Sequence, residues 1–256
     1  MDPAAGRDIP WAGRQLWDSD VACKNGKYYL YFSLKDKNDV FHLGVAVSQK
    51  PEGPFVPQEH HIKGSYSIDP CAFRDDDGSH YLVFGGLWGG QLQRYRNNKA
   101  IECGKEPANH EPALCPKIAR LSDTMLEFAE APRDLVILDA NGQPLKAGDH
   151  DRRFFEASWL HKYKGRYYFS YSTGNTHLLC YATSDNPYGP FTYQGVILTP
   201  VVGWTTHHCI CEFKGKWYLF HHDSKPSGGR TWLRSLKVIE LEHRPDGSIQ
   251  TIPGQP

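Results

Sequence analysis

Four stretches of this chain share one pattern, and that repetition constrains the fold more than any other feature. Each begins with a polar or acidic group, runs through a short apolar strand, turns at a glycine and returns along an aromatic strand. The copies are Trp17 to Phe32 (WDSDVACKNGKYYLYF), Ile68 to Phe84 (IDPCAFRDDDGSHYLVF), Phe155 to Tyr171 (FEASWLHKYKGRYYFSY) and His207 to His221 (HHCICEFKGKWYLFH). Their turns, Asn25-Gly26, Asp77-Gly78, Lys164-Gly165 and Lys214-Gly215, are hairpin signals, because glycine takes the positive φ such turns need. A third strand follows. Val45 to Ser48 and Tyr181 to Ser184 lead into the Pro-Gly turns Pro51 to Phe55 and Pro187 to Phe191. Ile118 to Ser122 and Ser235 to Leu241 are further copies, and Pro245-Asp246-Gly247 turns into a last short strand.

Each unit is therefore a small antiparallel meander. The turn glycines are spaced near the roughly 40–50 residues of a propeller blade. The exception lies between Gly78 and Gly165, where residues 97–151, rich in Asn, Pro, Glu and Asp, read as a loop insertion. An all-β chain is expected, with about four propeller blades in a single domain over residues 1–256. A β-sandwich also has short strands and turns, but not four self-similar units with a polar group at one place in each. The aromatic content of 13%, with 14 Tyr and 7 Trp, agrees, since such side chains fit a pleated surface.

Charge excludes some classes of function. Lys and Arg together number 29, as do Asp and Glu, so neither nucleic acid nor an anionic membrane is expected as a partner. No apolar run is long enough to cross a bilayer. The opening Met1-Asp2-Pro3-Ala4-Ala5-Gly6 is not a signal peptide, and a cytoplasmic location is expected. Seven cysteines, an odd number without CxxC, are expected to be buried free thiols.

In a propeller the innermost strands line the channel, so the polar residue opening each repeat would face it. Those residues are Asp18 or Asp20, Asp69, Glu156, and His207 or His208. Carboxylates converging from separate blades suit glycoside hydrolysis. One acid protonates the leaving oxygen, and another group activates water on the opposite face of the sugar. To serve as that acid near neutral pH, Glu156 needs a raised pKa, which apolar Phe155 and Trp159 and a negative Asp69 would supply. The bland alternative is that Asp69 and Glu156 cap strand ends or pair with Arg152 and Arg153. Trp88, flanked by glycines in Gly85-Gly86-Leu87-Trp88-Gly89-Gly90, reads either as a plate for a sugar ring or as core. The pairs His60-His61 and His221-His222 lack helical metal-ligand spacing.

These motifs resemble glycoside hydrolase family 43. Ser67-Ile68-Asp69-Pro70 followed by Asp75-Asp76-Asp77-Gly78 is similar to the family's pKa-modulating aspartate and its hairpin. Phe155-Glu156-Ala157-Ser158-Trp159 before Gly165-Arg166-Tyr167-Tyr168 is similar to its general-acid segment. Thr206-His207-His208 before Glu212 to Tyr218 is similar to its central histidine segment. The resemblance covers nearly the whole chain, in order. It implies a five-bladed propeller, an inverting mechanism, and β-xylosidase or α-L-arabinofuranosidase activity. The expected reaction is release of xylose or L-arabinose from xylo-oligosaccharides, arabinoxylan or arabinan. It implies no required cofactor, but a calcium ion in the central channel, supported through water by His207. It also implies that Arg234, or Arg230 in a looser alignment, contacts the sugar, and that Phe155 and Trp17 stand at the pocket wall.

The sequence departs from the family at its start. There the general base is an aspartate opening the first blade in an Asp-Pro motif, followed by a Gly-x-Tyr-Tyr hairpin. Here Asp2-Pro3 is followed by Ala4-Ala5-Gly6-Arg7-Asp8, with no strand and no aromatic pair, and Asp8-Ile9-Pro10-Trp11 onward matches the link into the second blade. The expectation is a chain lacking the N-terminal blade and its base, with hydrolysis impaired. Asp18 or Asp20 would replace that base only in a rebuilt ring. The alternative of another class is a non-catalytic carbohydrate-binding propeller.

Overall fold

The computed structural model describes residues 8–101, 104–204 and 207–254. Asp2-Pro3, Cys103 and Thr206 lie outside them. Two compact units divide the chain: Met1–Lys105 with Pro116–Asp134, and Glu106–Cys115 with Leu135–Pro256.

The first unit holds β1 (Ala12–Arg14), β2 (Ser19–Lys24), β3 (Lys27–Asp36), β4 (Phe41–Ser48) and β5 (Val56–Pro57), followed by β6 (Cys71–Arg74) and β7 (His80–Phe84). A ribbon of β8 (Tyr95–Arg96) and β9 (Lys99–Ala100) comes next, and then β10 (Lys117–Arg120) and β11 (Arg133–Asp134). Two sheets result. In one, β3 pairs with β1, β2 and β4, and β4 with β5; the other runs β11-β10-β7-β6. Apolar alternation builds the first core from Ile9, Ala12, Phe32, Leu34 and Ala46, with Trp11, Leu30 and Phe55 packed against it. Fully burying a side chain such as Leu or Phe contributes about 1.5–3 kcal/mol.

The second unit holds β12 (Ile137–Leu138), β13 (Glu156–Tyr163), β14 (Arg166–Ser172), β15 (Leu179–Ser184), β16 (Phe191–Leu198), β17 (His208–Phe213), β18 (Lys216–Asp223) and β19 (Ser235–Leu241). They form the sheets β12-β16-β15-β14-β13 and β17-β18-β19. Tyr168, Leu179, Tyr181, Ile197, Ile210, Leu219 and Leu241 join the two sheets in one core.

The glycine turns fall where the sequence predicts them. At Asn25-Gly26, Lys164-Gly165 and Lys214-Gly215 both residues have positive φ, the two-residue geometry that matches strand twist. The turn at Asp77-Gly78 is longer: the Asp75 N–H donates to the Ser79 carbonyl at 2.9 Å, and the Gly78 N–H donates to the Asp75 carbonyl at 3.0 Å. Segment 97–151 is not a plain loop. It contributes β10 as the third strand of the second sheet, and β12 pairs in parallel with β16. Ahead of these strands, residues 106–115 are committed to the second unit, where the Ala113 N–H donates to the Leu145 carbonyl and the Gly148 N–H to the Asn109 carbonyl.

Each unit has a latch between its two sheets. Asp20 in β2 accepts the Ala72 N–H of β6 at 2.8 Å, and the Trp159 indole of β13 donates to the Ile210 carbonyl of β17 at 3.0 Å. Among the described cysteines, Cys23, Cys71, Cys115, Cys180, Cys209 and Cys211 are free thiols, but only Cys71 and Cys180 are buried; Cys115, Cys209 and Cys211 are half-buried and Cys23 is exposed. No helix among the described residues is long and apolar enough to cross a membrane.

Candidate active site

In the first unit the structure brings Asp69, Trp88 and Trp17 to one region. Asp69 lies just before β6, only 2% exposed. Its φ is 57° and that of Ser67 is 65°, a left-handed backbone that non-glycine residues seldom adopt and that clusters at functional sites. Ser67 fixes this loop to the glycine-rich one. Its hydroxyl donates to the Gly90 carbonyl at 2.6 Å and accepts the Gly86 N–H at 3.0 Å. A Cβ at Gly90 would sit 2.7 Å from the Ile68 side chain, so that glycine is required for close approach.

The loop carrying Trp88 is held from the other side by Gln91. Its amide accepts the Phe41 N–H at 3.0 Å and donates to the Asp39 carbonyl at 2.8 Å. Trp88 itself is 45% exposed, which favours the plate over the core reading. Trp17 is half-buried, packed on Phe41 with ring centroids 4.7 Å apart, and Gly89 lies against its indole.

In the second unit Glu156 opens β13, opposite Ser172 of β14. The register shifts between Glu156 and Trp159, and Ala157 has φ 63°. Such a bulge bends a strand and re-aims a side chain, so it decouples the direction of Glu156 from that of the strand it leads. Phe155 is not an open wall: it is 2% exposed. Its ring rests on Gly174, where a Cβ would lie 2.4 Å from the ring carbons, and the Arg153 guanidinium stands 5.6 Å from its centroid.

Arg153 and Arg152 have carboxylate partners outside the candidate site residues. Arg153 pairs with Glu106 at 3.3 Å and Arg152 with Asp149 at 3.2 Å. Burial lowers the Arg153 pKa from its ordinary value, and Glu106 opposes that shift. His207 is half-buried just before β17, whereas the neighbouring His208 is buried with its Nε2 2.6 Å from the Ser170 hydroxyl. Arg234 is exposed just before β19, its Nε donating to the Thr231 carbonyl at 3.2 Å. Sequence reasoning missed the Ser67 tie, the Gly174 seat and the Glu106 partner. Only the consecutive arginines before Phe154 carried a local signal, since two adjacent cations near an apolar pair need anions from elsewhere.

Antiparallel blade sheets led by carboxylates are the marks of a propeller glycosidase. The chain belongs to glycosyl hydrolases family 43, whose sequence pattern matches residues 3–249. It is 71% identical over 248 residues to a xylosidase/arabinosidase of Bacteroides ovatus, covering 97% of this chain and 76% of that protein. It is 64% identical to a β-xylosidase of Xylanibacter ruminicola, covering 96% of this chain and 76% of the relative. The solved structure of the RS223 β-xylosidase superposes with a TM-score of 0.96 at 73% identity, over 97% of this chain and 77% of that one. A β-xylosidase/α-arabinofuranosidase from a compost metagenome, solved with xylotriose in a calcium-free form, gives a TM-score of 0.94 at 60% identity, over 96% and 76% of the two chains. The fold class is accordingly that of the five-bladed propeller family, with four blade sheets among the described residues. The function is that of a family 43 glycosidase of the xylosidase/arabinosidase type.

Proposed function

We propose that the site performs inverting, exo-acting hydrolysis that releases xylose or L-arabinose from xylo-oligosaccharides, arabinoxylan or arabinan. Glu156 is the general acid, protonating the leaving oxygen as the glycosidic bond breaks. Asp69 tunes that acid. The water that attacks the anomeric carbon is activated by a base about 6.5–9.5 Å from the acid across the sugar. Asp2 lies outside the described residues, and Asp20 is committed to backbone N–H groups at both oxygens. Trp88 stacks on the sugar, Trp17 lies beside it at the wall, Phe155 backs the acid from beneath, and Arg234 binds hydroxyl groups. The two relatives' names and the xylotriose complex support the substrate class.

The observation that carries the acid assignment is the backbone at Glu156. A strand-leading carboxyl, half-buried and followed at once by a bulge with a left-handed alanine, is aimed independently of the sheet. Acid–base hydrolysis by carboxylates needs no organic cofactor. For calcium, the donor set favours an indirect role. The ion prefers oxygen ligands, so the His207 imidazole suits a hydrogen bond to a calcium-bound water better than a direct bond.

The test is substrate-selective loss. General-acid assistance is worth about 10²–10⁴-fold and matters most for a poor leaving group. In the full-length protein, Glu156→Ala is expected to lose that much on xylobiose and far less on an aryl xyloside with an acidic phenol. Equal losses on both substrates would remove Glu156 from the role.

A further inference from the structure

Arg153 is a large cation with 2% of its surface exposed, three residues before Glu156. Its guanidinium reaches four groups. It pairs with Glu106 at 3.3 Å, donates to His150 Nδ1 at 3.3 Å and to the Phe154 carbonyl at 3.4 Å, and lies over the Phe155 ring at 5.6 Å. That ring also packs on Gly174, where a Cβ would lie 2.4 Å from its carbons. Phe155 is then tied to β14 by its N–H, which donates to the Ser172 carbonyl at 2.9 Å, and Glu156 pairs with that same Ser172.

Burying a charge in this way is costly unless it is paired and hydrogen-bonded. The same core space would be filled at less cost by an apolar side chain. Arginine's planar fork, by contrast, fixes several directions at once. Here those directions are the carbonyl of one residue and the ring of the next, in the two positions that immediately precede Glu156. The anion is supplied from far away in sequence, by the stretch 106–115 that joins this unit.

We propose that Arg153, charge-compensated by Glu106, is a positioning residue that clamps the Phe154–Phe155 backbone and so sets where the Glu156 carboxyl stands. The proposal rests on Glu156 being the acid. Arg153 touches neither substrate nor reacting atoms; it acts through the two residues between. The clamp also explains why Phe155 is sealed from solvent rather than open to it, since the ring is the surface on which the guanidinium bears.

The experiment compares three variants in the full-length protein: Glu106→Gln, Arg153→Lys and Glu156→Ala. Turnover is measured on xylobiose and on an aryl xyloside with an acidic phenol, alongside melting temperature. Small displacements of a catalytic group cost up to about 100-fold. Glu106→Gln is expected to lower kcat on xylobiose about 10- to 100-fold, with KM unchanged and the activated substrate affected less than about threefold. Arg153→Lys keeps the charge but not the fork, and is expected to fall between wild type and Glu106→Gln. Glu106 is 30% exposed, so its neutral isostere disturbs packing least, and the melting temperature reports what loss of the charge costs the fold. A merely structural role scales both substrates alike through the active fraction, and that result, or unchanged kcat in a folded variant, overturns the clamp. If Glu156→Ala is itself unselective, the acid assignment fails first. If Glu156→Ala is selective and Glu106→Gln is not, only the clamp fails.

Discussion

The Asp20 carboxylate in β2 accepts the backbone N–H of Ala72 in β6 at 2.8 Å, and its second oxygen accepts the Val21 N–H at 2.8 Å. One side chain therefore joins two sheets of the first unit. Hydrogen bonds to a charged acceptor are worth about 1.5–3 kcal/mol, so Asp20→Ala should destabilise the protein by about that amount. Urea denaturation measures it. Selectivity between poor and good leaving groups should stay as in the wild type. A variant of normal stability that has lost all turnover would instead make Asp20 the general base.

Asp69→Asn tests the tuning assignment. Replacing a carboxylate by a neutral amide removes a negative charge that favours the protonated acid. The alkaline limb of the pH–rate profile should move to lower pH while the variant stays folded. An active Asp69→Asn protein whose alkaline limb stays in place would end that role.

The pair His161 and His243, with Nε2 atoms 3.2 Å apart among Tyr163, Tyr168 and Trp217, makes stability depend on acid. Burial holds His161 well below its ordinary pKa, and burial with Lys164 nearby lowers His243 to about 4. Both are neutral in the folded chain, while their unfolded counterparts take up protons near pH 6.5. The unfolded state thus binds more protons below that pH, and stability is lost as pH falls from 6.5 towards about 4. One histidine contributes at most about 1.4 kcal/mol per pH unit. His243→Gln should make the urea midpoint fall less steeply over this range; an identical slope would show that the pair does not titrate on unfolding.

Gly174 has φ 82° and lies under the Phe155 ring, so it needs to be glycine for both backbone and space. Gly174→Ala should cost about 1–3 kcal/mol through overpacking. It should also lower kcat on xylobiose more than on an activated aryl glycoside, because the ring it displaces adjoins Glu156. Normal stability would mean that the ring moves aside freely.

Much of the fold is legible because it is local. The turns at Gly26, Gly165 and Gly215 and the strand Ser235–Leu241 stand where the pattern predicts them. The four opening polar groups were equally visible, as types. What escaped is what distant chain segments decide. β12 finds its parallel partner β16 more than fifty positions later, and no nearby residue announces it. Asp20 reads as a channel carboxylate until its two amide donors are seen. Phe155 reads as a wall until Arg153 and Gly174 close over it. Strand periodicity gives a side chain's face, but it does not say whether another element covers that face.

The chain order of the two units carries one further consequence, for synthesis and for dissection. The first unit is interrupted after Lys105 and resumes at Pro116, while residues 106–115 belong with the second. As the chain emerges from the ribosome, the first unit lacks β10 and β11 until Asp134 has been made. During that interval Glu106 has been made but Arg153 has not. Nor does a single cut separate the units. A fragment starting at Leu135 would carry a buried arginine whose carboxylate partner had been left on the other piece, and breaking a buried pair in that way costs about 3–5 kcal/mol. Dividing this protein into independently folding halves therefore requires a permuted chain that returns residues 106–115 to the second half.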